Sequence, residues 1–412
     1  MAVQILTGAS HFSGTSAVTS IAVELAEWAT NLAPTGDDLE LADRSLLDTI
    51  AVAIAGRDEP VVTTVRALPE AARWAIAGHV LDFDDLHMAS TAHISVVCLP
   101  AVLAAGGDAL AYLAAAGVMA RLGTTLGWSH YSAGWHTTCT AGAPAAAIGA
   151  GVALGLDAER LATAMALAVP AAGGVHRAFG TDAKSLQVGF AADAGVRAAR
   201  LAAAGASADV NAVDSWLELL GGDPTGVDLT GPAVPGGLAI KLFPCCYALQ
   251  RPISALAELA NSGLDHRRVS RIVLRTPMGT VTPLIHHVPS TGLEAKFSLE
   301  YAAAAALLDA HQGFTSFTDQ AAQRPEAQRL VDVVDIELTD GGDGLLAGEL
   351  EAEVHADGEV FRTRLRLPPG SPQRPPTHEE LMRKVGDCLV GTSLDPESIT
   401  WGSAREILHR YL

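Results

Sequence analysis

Apolar residues recur at helical spacing through about the first 260 residues. Between residues 37 and 56, Leu39, Ala42, Leu46, Ile50, Ala53 and Ile54 follow in three- and four-residue steps. Asp37 and Asp38 can cap the start of that run, and Gly56 ends it. The same reading predicts helices over 70–82, 96–105, 109–123, 141–154, 157–169, 183–204 and 253–262. The Ala/Gly-rich stretch 141–154 allows close helix contact, and Asp157 caps the helix after it. No clear strand is expected before residue 265.

The pattern then changes period. Residues 269–276 and 333–339 are rich in β-branched residues and read as strands. From Glu349 to Ala356 apolar and polar positions alternate strictly, Asp357-Gly358 makes a hairpin turn, and the returning strand alternates Phe361, Thr363, Leu365 with Arg362, Arg364, Arg366. Acids on one strand face arginines on the next, a pairing that favours this register and reads as solvated ion pairs rather than a substrate site. Helices are expected over 297–310, 377–389 and 403–412. The fold class is therefore multidomain. A large all-α helical domain spans 18–263 and 391–412, a smaller α+β lid domain spans 264–390, and 1–17 is a loose N-terminal extension.

Composition narrows the functions. Of 412 residues 49% are hydrophobic and only 5% aromatic, so the apolar mass is Ala, Leu and Val and suits close-packed helices. The formal charge is −19, with 27 Lys plus Arg against 46 Asp plus Glu, and no basic run stands out, which excludes nucleic acid as a partner. An acidic protein that binds an anion must collect its few cations in one pocket. Five cysteines without a CxxC pair suggest a reducing compartment and give no zinc signal, and Cys245-Cys246 reads as pocket packing. No secretory signal is visible, and the apolar stretch 96–122 is broken by Gly106-Gly107-Asp108, so it reads as two buried helices rather than a membrane span. A cytoplasmic protein without membrane contact is expected.

The stretch from Gly78 to Pro100 carries the densest candidate chemistry. Asp82, Asp84 and Asp85 fall within four residues, among His79, His87 and His93. Alone, it reads as an exposed loop whose acids cap the next helix. The functional alternative is a carboxylate beside an imidazole, the usual preparation for acid–base work. Four further stretches stand out: 134–140 with Trp135 and His136, 179–184 with Lys184, 240–247 with Lys241 before Pro244-Cys245-Cys246, and 294–301 with Lys296 and Tyr301. Each alone is readily explained as capping, packing or a solvated lysine.

Together the pieces resemble the MmgE/PrpD family, which includes 2-methylcitrate dehydratase, cis-aconitate decarboxylase and iminodisuccinate epimerase. The matching signatures are Leu-Asp-Phe-Asp-Asp followed by a His, Gly-Trp-His before an Ala-rich helix, Phe-Gly-Thr-x-x-Lys, Lys-x-x-Pro-x-Cys and Glu-Ala-Lys-Phe-Ser, in order from about residue 20 onward. The resemblance implies a helical domain capped by a smaller α+β domain, a homodimer, no metal and no organic cofactor. It implies catalytic roles for Asp82, His93, His136, Lys184, Lys241 and Tyr301. It places Trp135, Thr137, Gln187, Cys246 and Leu86 beside Lys184 and Lys241 as substrate-binding positions. The chain departs from the family pattern at Leu86 (usually Thr or Ser), at Ile94 and Thr137 (usually Pro), at Gln187 (usually His in Lys-Pro-x-His) and at Cys246, which is His in the decarboxylase branch.

The resulting expectation is a cofactor-independent lyase, by dehydration or decarboxylation, on a carboxylate-bearing small molecule. His93 or His136 would be the base, Asp82 would orient a neighbouring His, and Lys184 and Lys241 would hold anionic groups. Epimerisation by proton abstraction next to a carboxylate, and ligand binding without catalysis, are the alternatives.

Overall fold

The computed structural model describes residues 19–342 and 344–412. The expected extension over 1–17 lies outside the described residues. Helices Ile21–Thr30, Gly36–Ala55, Glu70–His79, Ser95–Ala105, Ala109–Ser132, Gly142–Ala153, Ala158–Ala168 and Ala183–Ala203 pack around one core. Thr35 rather than Asp37 caps the second of these. Its hydroxyl accepts from Asp38 N at 3.2 Å, and the Asp38 carboxylate accepts in return from Thr35 N at 2.9 Å.

Small side chains let the helices approach closely. A Cβ on Gly195 in Ala183–Ala203 would lie 2.3 Å from the Ala146 methyl of the facing helix Gly142–Ala153. The helix beginning at Ala109 runs on to Ser132, beyond the expected end at Gly123, with a break at Gly127, where φ is +62°. It is long and apolar enough to cross a membrane, yet 78% of its apolar window is buried within this core.

A second core runs from Cys245 to Ala356. It holds a four-stranded sheet of β1 (Val269–Pro277), β2 (Val334–Thr339), β3 (Leu350–Ala356) and β4 (Glu359–Leu365) in the order β2-β1-β3-β4. β1 pairs parallel with β2 and antiparallel with β3, and β3 with β4 through the Asp357-Gly358 turn. Glu351 lies opposite Arg364 and Glu353 opposite Arg362, with exposed ion pairs of 3.2 and 3.1 Å.

The cores do not divide the chain at residues 263 and 390. Helix Tyr247–Asn261 buries Leu249, Ile253 and Leu256 in the second core, while helix His378–Cys388 buries Leu381 and Val385 in the first. Periodicity shows that a helix has an apolar face; it carries no record of which core covers that face.

Candidate active site

The acidic stretch is not an exposed loop. Asp82, Asp84 and Asp85 are buried, at 6%, 0% and 1% exposure, in the turn that links helices Glu70–His79 and Ser95–Ala105. Asp82 takes φ +54°, a left-handed conformation that Asp accepts more readily than most residues. The three acids of this turn meet different partners.

Asp82 Oδ1 accepts from Lys184 Nζ at 2.8 Å and from Lys241 Nζ at 3.1 Å. Burial alone would raise the Asp82 carboxyl, but the two ammonium groups hold it well below the usual carboxylate range. Asp84 takes the histidine-orienting role expected of Asp82. Its Oδ2 accepts from His79 Nδ1 at 2.8 Å, and His93 Nδ1 lies 3.0 Å from the same oxygen. Burial opposes ionisation here too, but the imidazoles keep Asp84 well below its ordinary value. Asp85 accepts from the Ser95 hydroxyl and from Ser95 N at 3.1 Å, and burial pushes its carboxyl up to about 7.

Lysines also hold the backbone of the turn. Lys296 donates to Leu81 O at 2.9 Å, Lys241 to Asp82 O at 2.7 Å and Lys384 to Phe83 O at 2.8 Å. With Lys184 these are all four lysines of the chain. The remaining cations are arginines, so scarcity of lysine was the signal in the sequence that could have identified Lys296 and Lys384.

Beside the turn lies a small cavity of about 40 Å³. Asp82, His93, His136, Lys184, Lys241, Leu86 and Cys246 line it, together with Tyr131, Phe179 and Phe297. Four expected residues do not. Tyr301 is fully buried in the second core and donates to Ser316 O. Trp135 stacks on His130, with ring centroids 5.8 Å apart. Thr137 is buried in the one-turn helix Thr137–Thr140. Gln187 stands behind His136, with Nε2 2.7 Å from the imidazole Nδ1. His87 is held by Ser90 and by Pro235 O, and it too lies outside the cavity lining.

The imidazoles cluster. The ring of His79 lies 4.8 Å from that of His93 and 5.9 Å from that of His136, centroid to centroid. Desolvation lowers the pKa of all three. For His79 it does so to about 4 and for His136 well below 6.5, aided at His136 by the neighbouring positive groups. Asp84 opposes the drop at His79 and His93. Free of ligand, the rings are neutral near pH 7. His79, Asp84 and His93 bring their potential metal-ligand atoms within 4.8 Å of one another. The Lys184 ammonium, 3.0 Å from His79 Nε2, would repel a cation added there.

Two family models match the chain: the MmgE/PrpD N-terminal domain over residues 63–216 and the MmgE/PrpD C-terminal domain over residues 243–397. The chain belongs to the MmgE/PrpD family. Among its curated relatives, a cis-aconitate decarboxylase of Aspergillus terreus is 26% identical, over 93% of this chain and 92% of its own length. The Mus musculus cis-aconitate decarboxylase is 29% identical over 64% of this chain and 59% of that protein. The Homo sapiens one is 27% identical over 61% and 55% respectively. These relatives support an enzyme of the lyase kind. Two departures of this MmgE/PrpD member face the cavity: Leu86 presents an apolar surface, and the Cys246 thiol is pushed up to about 11 by burial and is neutral. Gln187 reaches the site through His136.

Proposed function

We propose that the protein is a lyase that acts on a small molecule with two or more carboxylates, by proton transfer at a carbon next to one of them. The reading is carried by one juxtaposition. Two imidazoles and two ammonium groups line the same cavity, and the ammonium groups share a single carboxylate. Along the cavity lining Lys184 and Lys241 outnumber the one carboxylate there, Asp82, in a molecule of charge −19. That excess draws in an anion and stabilises the enolate-like charge that develops as the bond to hydrogen or to carbon dioxide breaks.

In a dehydration, an imidazole takes the proton next to the carboxylate, the electron pair moves into the new double bond, and hydroxide leaves with a proton from the second donor. In a decarboxylation, an imidazole first takes up a proton from solvent as the anionic substrate binds, with Asp84 stabilising the imidazolium; the carbon–carbon bond then breaks, carbon dioxide departs, and the remaining carbanion takes that proton. The curated relatives favour decarboxylation. Leu86 and Cys246 replace polar contacts with apolar or neutral surface, which favours a substrate other than that of the relatives, with a less polar group against these residues.

The test is incubation with methylcitrate, citrate, cis-aconitate, iminodisuccinate and related hydroxy acids in deuterium oxide, followed by NMR. Loss of water or carbon dioxide from one acid is expected, with His93→Gln reducing turnover at least about 10²-fold. Deuterium exchange without loss of either would replace the lyase with an epimerase. Full turnover by His93→Gln would remove the mechanism.

A further inference from the structure

The polar neighbours behind the two cavity histidines assign them different protons. Neither Nε2 atom has a hydrogen-bond partner among the described residues, and both rings line the cavity. What distinguishes the rings is what meets Nδ1.

At His93 that neighbour is the ionised Asp84, 3.0 Å away. The contact is not aligned as a hydrogen bond, but a lone pair facing a carboxylate at that distance is repelled, so Nδ1 carries the hydrogen and Nε2 carries the lone pair. His79 follows the same rule: Nδ1 donates to Asp84 and Nε2 accepts from Lys184.

At His136 the neighbour is Gln187. The orientation of that amide is fixed from behind, because Val175 N donates to its Oε1 at 3.0 Å. The amide nitrogen therefore points at His136 Nδ1, 2.7 Å away. Two N–H groups cannot face each other at that distance, so Nδ1 carries the lone pair and Nε2 the hydrogen. The Cys139 thiol, 3.3 Å from the same Nδ1, is a second donor to it. Gly174 makes this packing possible. Its φ is +139°, and a Cβ there would lie 2.6 Å from Cys139 Cβ and 3.3 Å from Gln187 Oε1.

We propose that Gln187 is a positioning residue that holds His136 in the Nε2–H tautomer, so that His136 meets substrate as a neutral hydrogen-bond donor and His93 is left as the base. The catalytic part rests on the lyase reading above; the tautomer itself is a property of the resting protein. In the reaction, His93 Nε2 receives the proton from carbon, and His136 Nε2–H bonds the oxygen on which negative charge grows. In the decarboxylating direction His93 Nε2 takes up a proton from solvent before the carbon–carbon bond breaks and delivers it to carbon. The family pattern has His at this position, and a histidine can offer either a donor or an acceptor. A carboxamide clamped by Val175 offers His136 only a donor.

Nitrogen-15 NMR of histidine-labelled protein separates a lone-pair nitrogen from one bearing hydrogen, with the His136 signals assigned by their absence in His136→Gln. The expected result is a lone-pair Nδ1 in the wild type, a hydrogen-bearing Nδ1 in Gln187→Glu, and a mixture of tautomers in Gln187→Met. On an acid that turns over, Gln187→Glu loses about 10²-fold in kcat with KM changed less than tenfold. A hydrogen on Nδ1 in the wild type, or an unchanged tautomer in a folded Gln187→Glu or Gln187→Met, overturns the proposal. Should Gln187→Glu not fold, the wild type and Gln187→Met decide alone. Because these spectra need no substrate, they fail or hold separately from the lyase assignment.

Discussion

Asp85 is the acid of the turn that reaches Ser95 rather than a lysine, and its titration differs in sign from that of its neighbours. Asp82 and Asp84 have depressed pKa values, so their contribution to stability is present above the unfolded value near 3.8 and fades as the pH falls through the folded one. Asp85 rises from 3.8 to about 7, so between roughly pH 4 and pH 7 the folded state holds a proton that the unfolded state has released. Its contribution is therefore greatest at the acid end of that window and is lost as the pH climbs through it. Asp85→Asn, which cannot ionise, should lose less stability relative to wild type at pH 8 than at pH 5; thermal melts at the two values measure this. At this scale the sequence was partly legible. The cavity residues His93, His136, Lys184 and Lys241 could be named from their motifs. The division of labour among Asp82, Asp84 and Asp85 could not, because it depends on which distant side chains the fold brings to each acid. Tyr301 stands outside the cavity lining, because the tyrosine of a motif at a helix start can point into a core as readily as into a site.

Among the elements, the expected helices match to within a few residues, apart from the longer run to Ser132; the helices Ile21–Thr30 and Ala212–Leu219 were not expected, and the hairpin registered as its alternation required. Helix Tyr247–Asn261 was expected to start only at Ile253, because Pro252 sits inside it and interrupts the local signal. Closeness between helices is where the Gly residues matter. Gly195 faces the Ala146 methyl and backbone, with atoms 2.3 to 2.6 Å from any added Cβ. Gly195→Leu should therefore cost about 1–3 kcal/mol and lower Tm by several degrees. Gly36→Ala, with nothing within 4 Å of the new methyl, should change stability by less than about 0.5 kcal/mol. Equal Tm values for these two variants would mean that the helices separate more easily than this packing allows.

At the scale of the whole molecule, the turn in the first core is completed from outside it. Lys296 comes from the second core's segment, between strands β1 and β2, and Lys241 from the connection between the cores. Helical and α+β portions could be told apart from the change in period near residue 265, but the distribution of helices between cores could not, since it is decided by contacts across long separations in the chain. The four lysines have a practical corollary. With exposures of 12% or less, they leave an amine-acylating reagent no freely accessible lysine on the folded protein. Acylation of all four should accelerate together in denaturant, and native labelling should begin at Lys184, the one with the most access. A bound polycarboxylate should slow that first reaction, read by peptide mass spectrometry; prompt native labelling of Lys296 or Lys384 would contradict the arrangement. The chain thus carries an internal reporter: the extent of lysine acylation reads how often the two halves part.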